Sequence, residues 1–385
     1  MITTLEPTLP PTRSLWARLT VAALIGVLAV ALAGCARPGP GVLAPTTQIA
    51  PGARLVTVYV ATTRARDPAA MNVYTSDRAP GLSFTEFTVA IPPNHTAGEI
   101  EWPTGLADPE RNFVTVRQSL LSREEFAAKV SARTARKAGV FVHGYNVNFQ
   151  EAVFRLAQMA ADADLDGVPV LFAWPSDGRL TGYVADKEAA TYSRDALAQV
   201  LTMLARDRKA ADVTLLGHSM GAWLTVEAVR QLRLTGKGAT LARLNVILAS
   251  PDIDIDVFRA QMRTIGPLTP PVTVLVSRDD KALAVSSRIS GARTRLGAVN
   301  VDDPRVQLGA RKANVRVIDI SSVEATDGFN HDRFVALATL YARLGNMERA
   351  GAGGGPGQAG AFVFNTVGSV VSAPFTLVGS ALAGQ

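Results

Sequence analysis

The sequence predicts an α/β fold: a mainly parallel sheet with helices on both faces and extra strands ahead of it. Three observations carry that prediction. From Gly139 onward, short apolar runs alternate with stretches of helical periodicity. Most of those runs are almost continuously apolar rather than alternating, as strands buried on both faces are. One of them, Val213 to Leu216, passes directly into Gly217-His218-Ser219-Met220-Gly221, and a helical pattern with apolar Leu224, Val226, Ala228, Val229 and Leu232 begins at once. That is a sharp strand-to-helix turn with a serine at its apex.

The N-terminus precedes this fold. Arg13 and Arg18 are followed by an apolar run from Leu19 to Ala33, too short and too rich in small residues for a membrane span but suited to a signal peptide. The run ends in Leu32-Ala33-Gly34-Cys35, which resembles a bacterial lipobox, and Cys35 is the only cysteine in the chain. The expectation is an exported lipoprotein, anchored to a membrane through lipidated Cys35 and facing the periplasm or cell exterior. No cysteine is left to form a disulfide, so stability must come from the core. With 385 residues and 48% hydrophobic content the chain can bury a large one.

The expected division is a signal peptide over 1–34, a Pro/Gly-rich tether over 35–52, a domain over 53–346, and a glycine linker with an uncharged tail over 347–385. Net charge is +6; removing the signal peptide takes away two arginines and one glutamate, leaving +5. Basic residues are scattered, apart from a small cluster at Arg133 to Lys137, and no aromatic residues interleave with them. That pattern excludes a nucleic-acid platform and reads as a solvated face.

Within the domain, Leu55 to Ala61, Phe84 to Ile91 and Asn112 to Arg117 read as three opening strands, separated by turn material at Pro92-Pro93-Asn94-His95 and Trp102-Pro103. Ser122-Arg123-Glu124-Glu125 is a capping box, so a helix should follow to about Lys137. Strand Val140 to Val142 runs into His143-Gly144-Tyr145-Asn146, and a helix covers Phe149 to Ala163. Strand Pro169 to Ala173 ends at Trp174-Pro175, and a polar connection to Ser193 then walls any pocket, with a helix over about Ala189 to Arg206. After the serine turn come strand Leu244 to Ala249, a helix over about Asp254 to Ile265, strand Val272 to Val276, strand Val315 to Ile320 and a helix from about Asp332 to Leu344. The connection Ser250 to Pro271 holds one helix only, so no large cap domain is expected.

The serine turn needs partners. An activated serine takes a histidine as general base and an acid that orients it. Of the four histidines only His331 follows Ser219, in the loop after the last strand, and it is the candidate base. His143 and His218 should pack beside the site, and His95 should be structural. Asp280, after strand Val272 to Val276, is the favoured acid, with Asp279 the alternative and Asp252 a lesser rival; Asp302, Asp303 and Asp327 read as solvent-facing. Two backbone amides must meet the developing oxyanion, and those of Met220 and Tyr145 are best placed in sequence. This chemistry calls for no cofactor and no metal.

Taken together, Val60-Ala-Thr-Thr-Arg64, Ile91-Pro-Pro-Asn-His95, Val142-His-Gly-Tyr-Asn146, Phe172-Ala-Trp-Pro-Ser176, Gly217-His-Ser-Met-Gly221, Ala249-Ser-Pro-Asp252, Ser277-Arg-Asp-Asp-Lys-Ala-Leu283 and His331 resemble a family of bacterial α/β-hydrolases of unknown function within the esterase/lipase superfamily. The resemblance spans roughly Arg54 to Leu344. It implies the α/β-hydrolase fold with a triad of Ser219, Asp280 and His331, and pocket positions at Tyr183, Asp186 and Ser193. A serine rather than an aspartate at the turn disfavours dehalogenation and epoxide opening and leaves acyl transfer to water. The expected activity is hydrolysis of a small-molecule or lipid carboxylic ester, with amide or thioester cleavage open to the same triad. The competing reading is a non-catalytic envelope lipoprotein that uses the fold as a binding or scaffold module.

Overall fold

The elements of the computed structural model are described for residues 37–69, 73–133, 138–163, 167–206 and 213–336. The expected signal peptide, Cys35, most of the basic cluster and the glycine-rich tail lie outside these residues.

Three strands open the domain: β1 (Arg54–Arg66), β2 (Tyr74–Ile91) and β3 (Val114–Leu121). β1 and β2 extend beyond the apolar runs that mark them, because their polar ends pair as an antiparallel ribbon in which Arg64 faces Arg78 and Arg66 faces Tyr74, whereas β3 starts two residues later than expected and runs on to Leu121 beside β2. Helix α1 (Arg123–Arg133) starts at the expected box, where the Ser122 Oγ accepts the Glu125 amide at 3.1 Å and the Glu125 carboxylate accepts the Ser122 amide at 2.7 Å. The α/β alternation follows: β4 (Ala138–Val142), α2 (Phe149–Asp162), β5 (Val168–Ala173), α3 (Tyr183–Tyr192), α4 (Arg194–Ala205), β6 (Val213–His218), α5 (Met220–Leu234), the short α6 (Gly238–Leu241), β7 (Leu244–Ala249), α7 (Ile255–Ile265), β8 (Val272–Val276), α8 (Lys281–Ile289), α9 (Pro304–Ala313) and β9 (Val315–Asp319).

These strands form one nine-stranded sheet in the order β3-β2-β1-β5-β4-β6-β7-β8-β9. β1 to β3 pair antiparallel at one edge, and from β1 across to β9 every pair is parallel. The pleat sends alternate residues to opposite faces. Val140, Val142, Val170 and Phe172 join the core under α1, α4, α5 and α7, whereas Phe141 and Leu171 join the core under α2. Both faces are therefore covered, which is why these strands are almost continuously apolar. The chain moves from β4 outward to β5 and then returns to the other side of β4 for β6. The crevice at the carboxyl ends of β4 and β6 is the topological switch point, where such sheets hold their ligands.

Several elements differ from expectation. The connection after Trp174 is helical from Tyr183, and the single helix expected near Ala189 to Arg206 is two, meeting at Ser193. The Ser193 hydroxyl bonds Ala189 O at 2.9 Å and the Thr63 hydroxyl at 2.8 Å, which fixes the junction against β1. Helix α9 packs a narrow apolar stripe of Val306, Ala310 and Ala313 on the core, and Pro304 in its first turn and the Asp303 cap set its start. The expected tether is part of the domain from Pro40: a 3₁₀ turn over Pro40–Leu43 inserts a fully buried Leu43, and the Thr46 amide bonds Thr115 O at 2.8 Å.

His95 is structural, as expected. Its Nδ1 lies 2.8 Å from Glu101 Oε2 and its Nε2 2.8 Å from Asp162 Oδ1, so it ties the loop after β2 to the end of α2. Burial opposes its charge, but the bonds from Asp162 and Glu101 outweigh that and raise its pKa.

Candidate active site

Ser219 stands between β6 and α5 with φ 53° and ψ −119°, a backbone state a serine adopts only when its surroundings force it. They do so through hydrogen bonds to the next strand and its loop. The Ser219 amide donates to Ala249 O at 3.0 Å, and Ser219 O accepts the Asp252 amide at 3.2 Å. The flanking glycines are steric requirements. A Cβ at Gly217 would run into Thr225 Oγ1 and Ala222, and one at Gly221 into the carbonyl oxygens of Val142 and His143. The serine is presented where helix and strand press too closely for side chains on either side.

The histidine and its acid come from the far side of the sheet's centre. Asp280 caps α8: its Oδ1 accepts the Leu283 amide at 2.9 Å, and its Oδ2 accepts His331 Nδ1–H at 2.7 Å. The Asp280 side chain is fully buried and that of His331 14% exposed. Asp279, the alternative acid, points away. Its carboxylate is half exposed and holds Arg333 at 2.8 Å, the Ser277 hydroxyl at 2.8 Å and Asn330 Nδ2 at 2.9 Å. Asp252 is also committed elsewhere, to Arg295 at 3.1 Å, the Tyr183 hydroxyl at 2.8 Å and the Ser286 hydroxyl at 2.8 Å. Geometry therefore selects Asp280 as the histidine's partner.

Burial disfavours a charged His331, but the hydrogen bond and charge of Asp280 outweigh it, and the His331 pKa is raised. The loop around it is built from main-chain contacts. The His331 amide donates to Asp327 Oδ1 at 2.9 Å, and its carbonyl accepts His218 Nε2–H at 3.2 Å. Asp327 is thus not the solvent-facing residue its sequence position suggested: an aspartate four residues before the histidine closes this turn. His218 is half-buried beside His331, and desolvation reinforced by that neighbour holds its pKa well below 6.5 and keeps it a neutral donor. Phe334 packs its ring 4.5 Å from that of His218, and Arg333 bonds Asp279, which anchors the segment after His331.

Opposite the serine lies the turn after β4. A Cβ on Gly144 would come within 3.1 Å of Ser219 Cβ and 2.9 Å of His218 Nδ1, so the Gly144–Tyr145 peptide borders the nucleophile directly. On the other side, Met220 opens α5, and its amide has no acceptor within the helix. His143 stacks on Trp174 with centroids 4.9 Å apart, and Trp174 Nε1–H donates to His143 O at 2.7 Å. Burial, reinforced by nearby Arg64, pushes the His143 pKa down to about 3, so it is a neutral strut rather than a base. The Tyr145 hydroxyl donates to Leu180 O, and its ring lies 5.4 Å from that of Tyr183, so the stretch after Trp174 does wall this side of the site. Of the three positions implied as pocket residues, Tyr183 borders the site, whereas Asp186 and Ser193 are buried with their polar atoms turned inward. Among the described residues no group of His, Cys, Asp and Glu is arranged to hold a metal ion.

Residues 119–347, more than half of the chain, match a family described as alpha/beta hydrolase of unknown function (DUF900). None of the curated proteins matches. Solved structures with similarity include a lipase-esterase related protein from Clostridium acetobutylicum, 13% identical, aligned over 55% of this chain and 93% of that one with a TM-score of 0.28. A putative hydrolase from Agrobacterium vitis is 11% identical over 68% of this chain and 95% of that one, TM-score 0.32. A fungal esterase from Rhizomucor miehei is 12% identical over 89% and 93%, TM-score 0.32.

Proposed function

The chain belongs to this family of α/β-hydrolases of unknown function, and on that premise we propose that it is a serine esterase anchored to a membrane through Cys35. The observation that carries the proposal is the 2.7 Å bond from His331 Nδ1 to Asp280 Oδ2, made at the same end of the sheet as the strained Ser219. With its proton fixed on Nδ1, the imidazole has Nε2 available as a base.

The chemistry runs in two halves. Ser219 Oγ attacks the ester carbonyl as its proton passes to His331 Nε2, and the imidazolium is stabilised by Asp280. The carbonyl oxygen becomes an oxyanion that accepts hydrogen bonds from the Tyr145 and Met220 amides. Collapse breaks the bond to the alcohol oxygen, which takes the proton from His331 and leaves an acyl-serine. Water repeats the sequence with the same base and releases the acid.

Hydrolysis of p-nitrophenyl acetate and butyrate by the purified domain tests this reading. Turnover should be present in wild type and lost in Ser219→Ala. A well-folded wild type with no turnover would leave the non-catalytic scaffold as the account. The anchor is tested separately by Cys35→Ser, which should move the protein from the membrane to the soluble fraction; unchanged fractionation refutes lipidation.

A further inference from the structure

Asp186 is 1% exposed in the first turns of α3, and every group around its carboxylate is a donor. Oδ2 accepts the Asn146 amide at 3.2 Å and the Ser176 hydroxyl at 2.6 Å, and Oδ1 accepts the Asp177 amide at 2.6 Å. The Ser176 oxygen in turn accepts the amides of Val147 at 3.2 Å and Gly178 at 3.3 Å. From the other side, buried Arg64 donates from Nη2 to Val147 O at 2.9 Å. The two residues after Tyr145 are therefore held by side chains from β1, from the loop after β5 and from α3. Asn146 meanwhile keeps a left-handed φ of 60°.

That strained turn decides where the Tyr145 peptide points. β4 has ended at Val142 and α2 begins only at Phe149, so the turn lies between these two elements.

We infer that Asp186 is the positioning residue of the oxyanion hole: its buried carboxylate ties Asn146 and Ser176 together and so aims the Tyr145 amide at the oxygen that becomes negative. The inference rests on the serine-esterase reading and adds to it a residue that never touches substrate. A carboxylate is required there. An asparagine in its place must turn an N–H₂ toward at least one N–H or O–H, which leaves a buried donor unpaired and pushes the turn off its position.

The test is Asp186→Asn, with Ser176→Ala as a second, smaller perturbation of the same turn. Turnover of p-nitrophenyl butyrate and inhibition by an alkyl trifluoromethyl ketone are measured on each. The ketone adds to Ser219 as a hemiketal whose oxygen carries the charge the hole is built for, so it reads the hole rather than general stability. Misplacing one oxyanion donor costs about 10² to 10³ in kcat. Asp186→Asn should therefore lose about 10²-fold in kcat with KM near wild type, and the ketone inhibition constant should rise in parallel. Ser176→Ala should shift both in the same direction by a smaller factor.

If wild type turns over ester and both variants keep wild-type kcat and ketone affinity, the inference is wrong while the esterase reading stands. Loss of thermal stability with ketone affinity unchanged also overturns it, because that is what a merely structural aspartate would give. A folded wild type with no turnover would instead remove the esterase reading beneath it.

Discussion

Replacing Asp280 by asparagine changes one atom and should remove most of the activity. Asparagine is as good a helix cap as aspartate, so its Oδ1 keeps the bond to the Leu283 amide and α8 keeps its start. That choice leaves the N–H₂ facing His331 Nδ1, 2.7 Å away in wild type. Two donors cannot face each other, so the imidazole proton moves to Nε2, the atom that has to take the serine proton. In the serine proteases this tautomer error costs about 10⁴ in kcat, or about 5.4 kcal/mol of transition-state stabilisation. The same geometry here predicts a loss of that order for Asp280→Asn at saturating p-nitrophenyl butyrate, with the circular dichroism spectrum and melting midpoint close to wild type. Asp279→Asn is the control. Its carboxylate is 51% exposed and pairs with Arg333, not His331, and a partly solvated pair of that kind should cost no more than about tenfold. Equal losses in the two variants, or a larger loss in Asp279→Asn, would refute the assignment.

Other outcomes follow from the same geometry. Since His331 must be neutral to act and its pKa is raised by Asp280, kcat/KM should climb with pH through a midpoint above about 6.5; a midpoint below that value contradicts the pairing. Gly221→Ala should destabilise the fold by about 3 kcal/mol in urea titration, because the new methyl meets the carbonyl oxygens of Val142 and His143, and an unchanged midpoint would show that α5 can shift away from β4. His95 has a folded pKa above its unfolded one, so its contribution is fully present below about pH 6.5 and fades as pH rises through the folded value. His95→Gln should therefore cost more stability at about pH 6 than at about pH 8.5, and a gap that widens with pH would overturn the charge pairing with Glu101 and Asp162.

Local chemistry made much of this legible in the sequence. The parallel strands announce themselves because a strand covered on both faces has few polar positions, and the serine turn because its two glycines answer to specific close approaches. His331 followed by elimination, since strand order leaves a single eligible histidine. What was not legible depends on how side chains point after the chain has folded. The sequence favours Asp280 over Asp279 without separating them, and it is the start of α8 that turns one inward and leaves the other on Arg333. Asp327 reads as a loop carboxylate until the turn brings it to the His331 amide. Asp186 is a pocket position only by the family resemblance, yet α3 buries it against the turn that follows Tyr145. Helix α9 is hard to see in the sequence because only Val306, Ala310 and Ala313 line its inner face among Arg305, Gln307, Arg311 and Lys312. The segment from Pro40 to Ala50 reads as a tether in sequence because its proline and glycine content obscures Leu43, which the fold buries.

The central claim is that Ser219 is an activated nucleophile, and covalent labelling reads that property without knowledge of the substrate. The protein is treated with a fluorophosphonate, digested, and the adduct located by mass spectrometry. The account predicts a phosphonylated Ser219 in wild type and in Asp279→Asn, strongly slowed labelling in Asp280→Asn, and none in Ser219→Ala. A well-folded wild type that stays unlabelled, or an adduct that persists in Ser219→Ala, contradicts it.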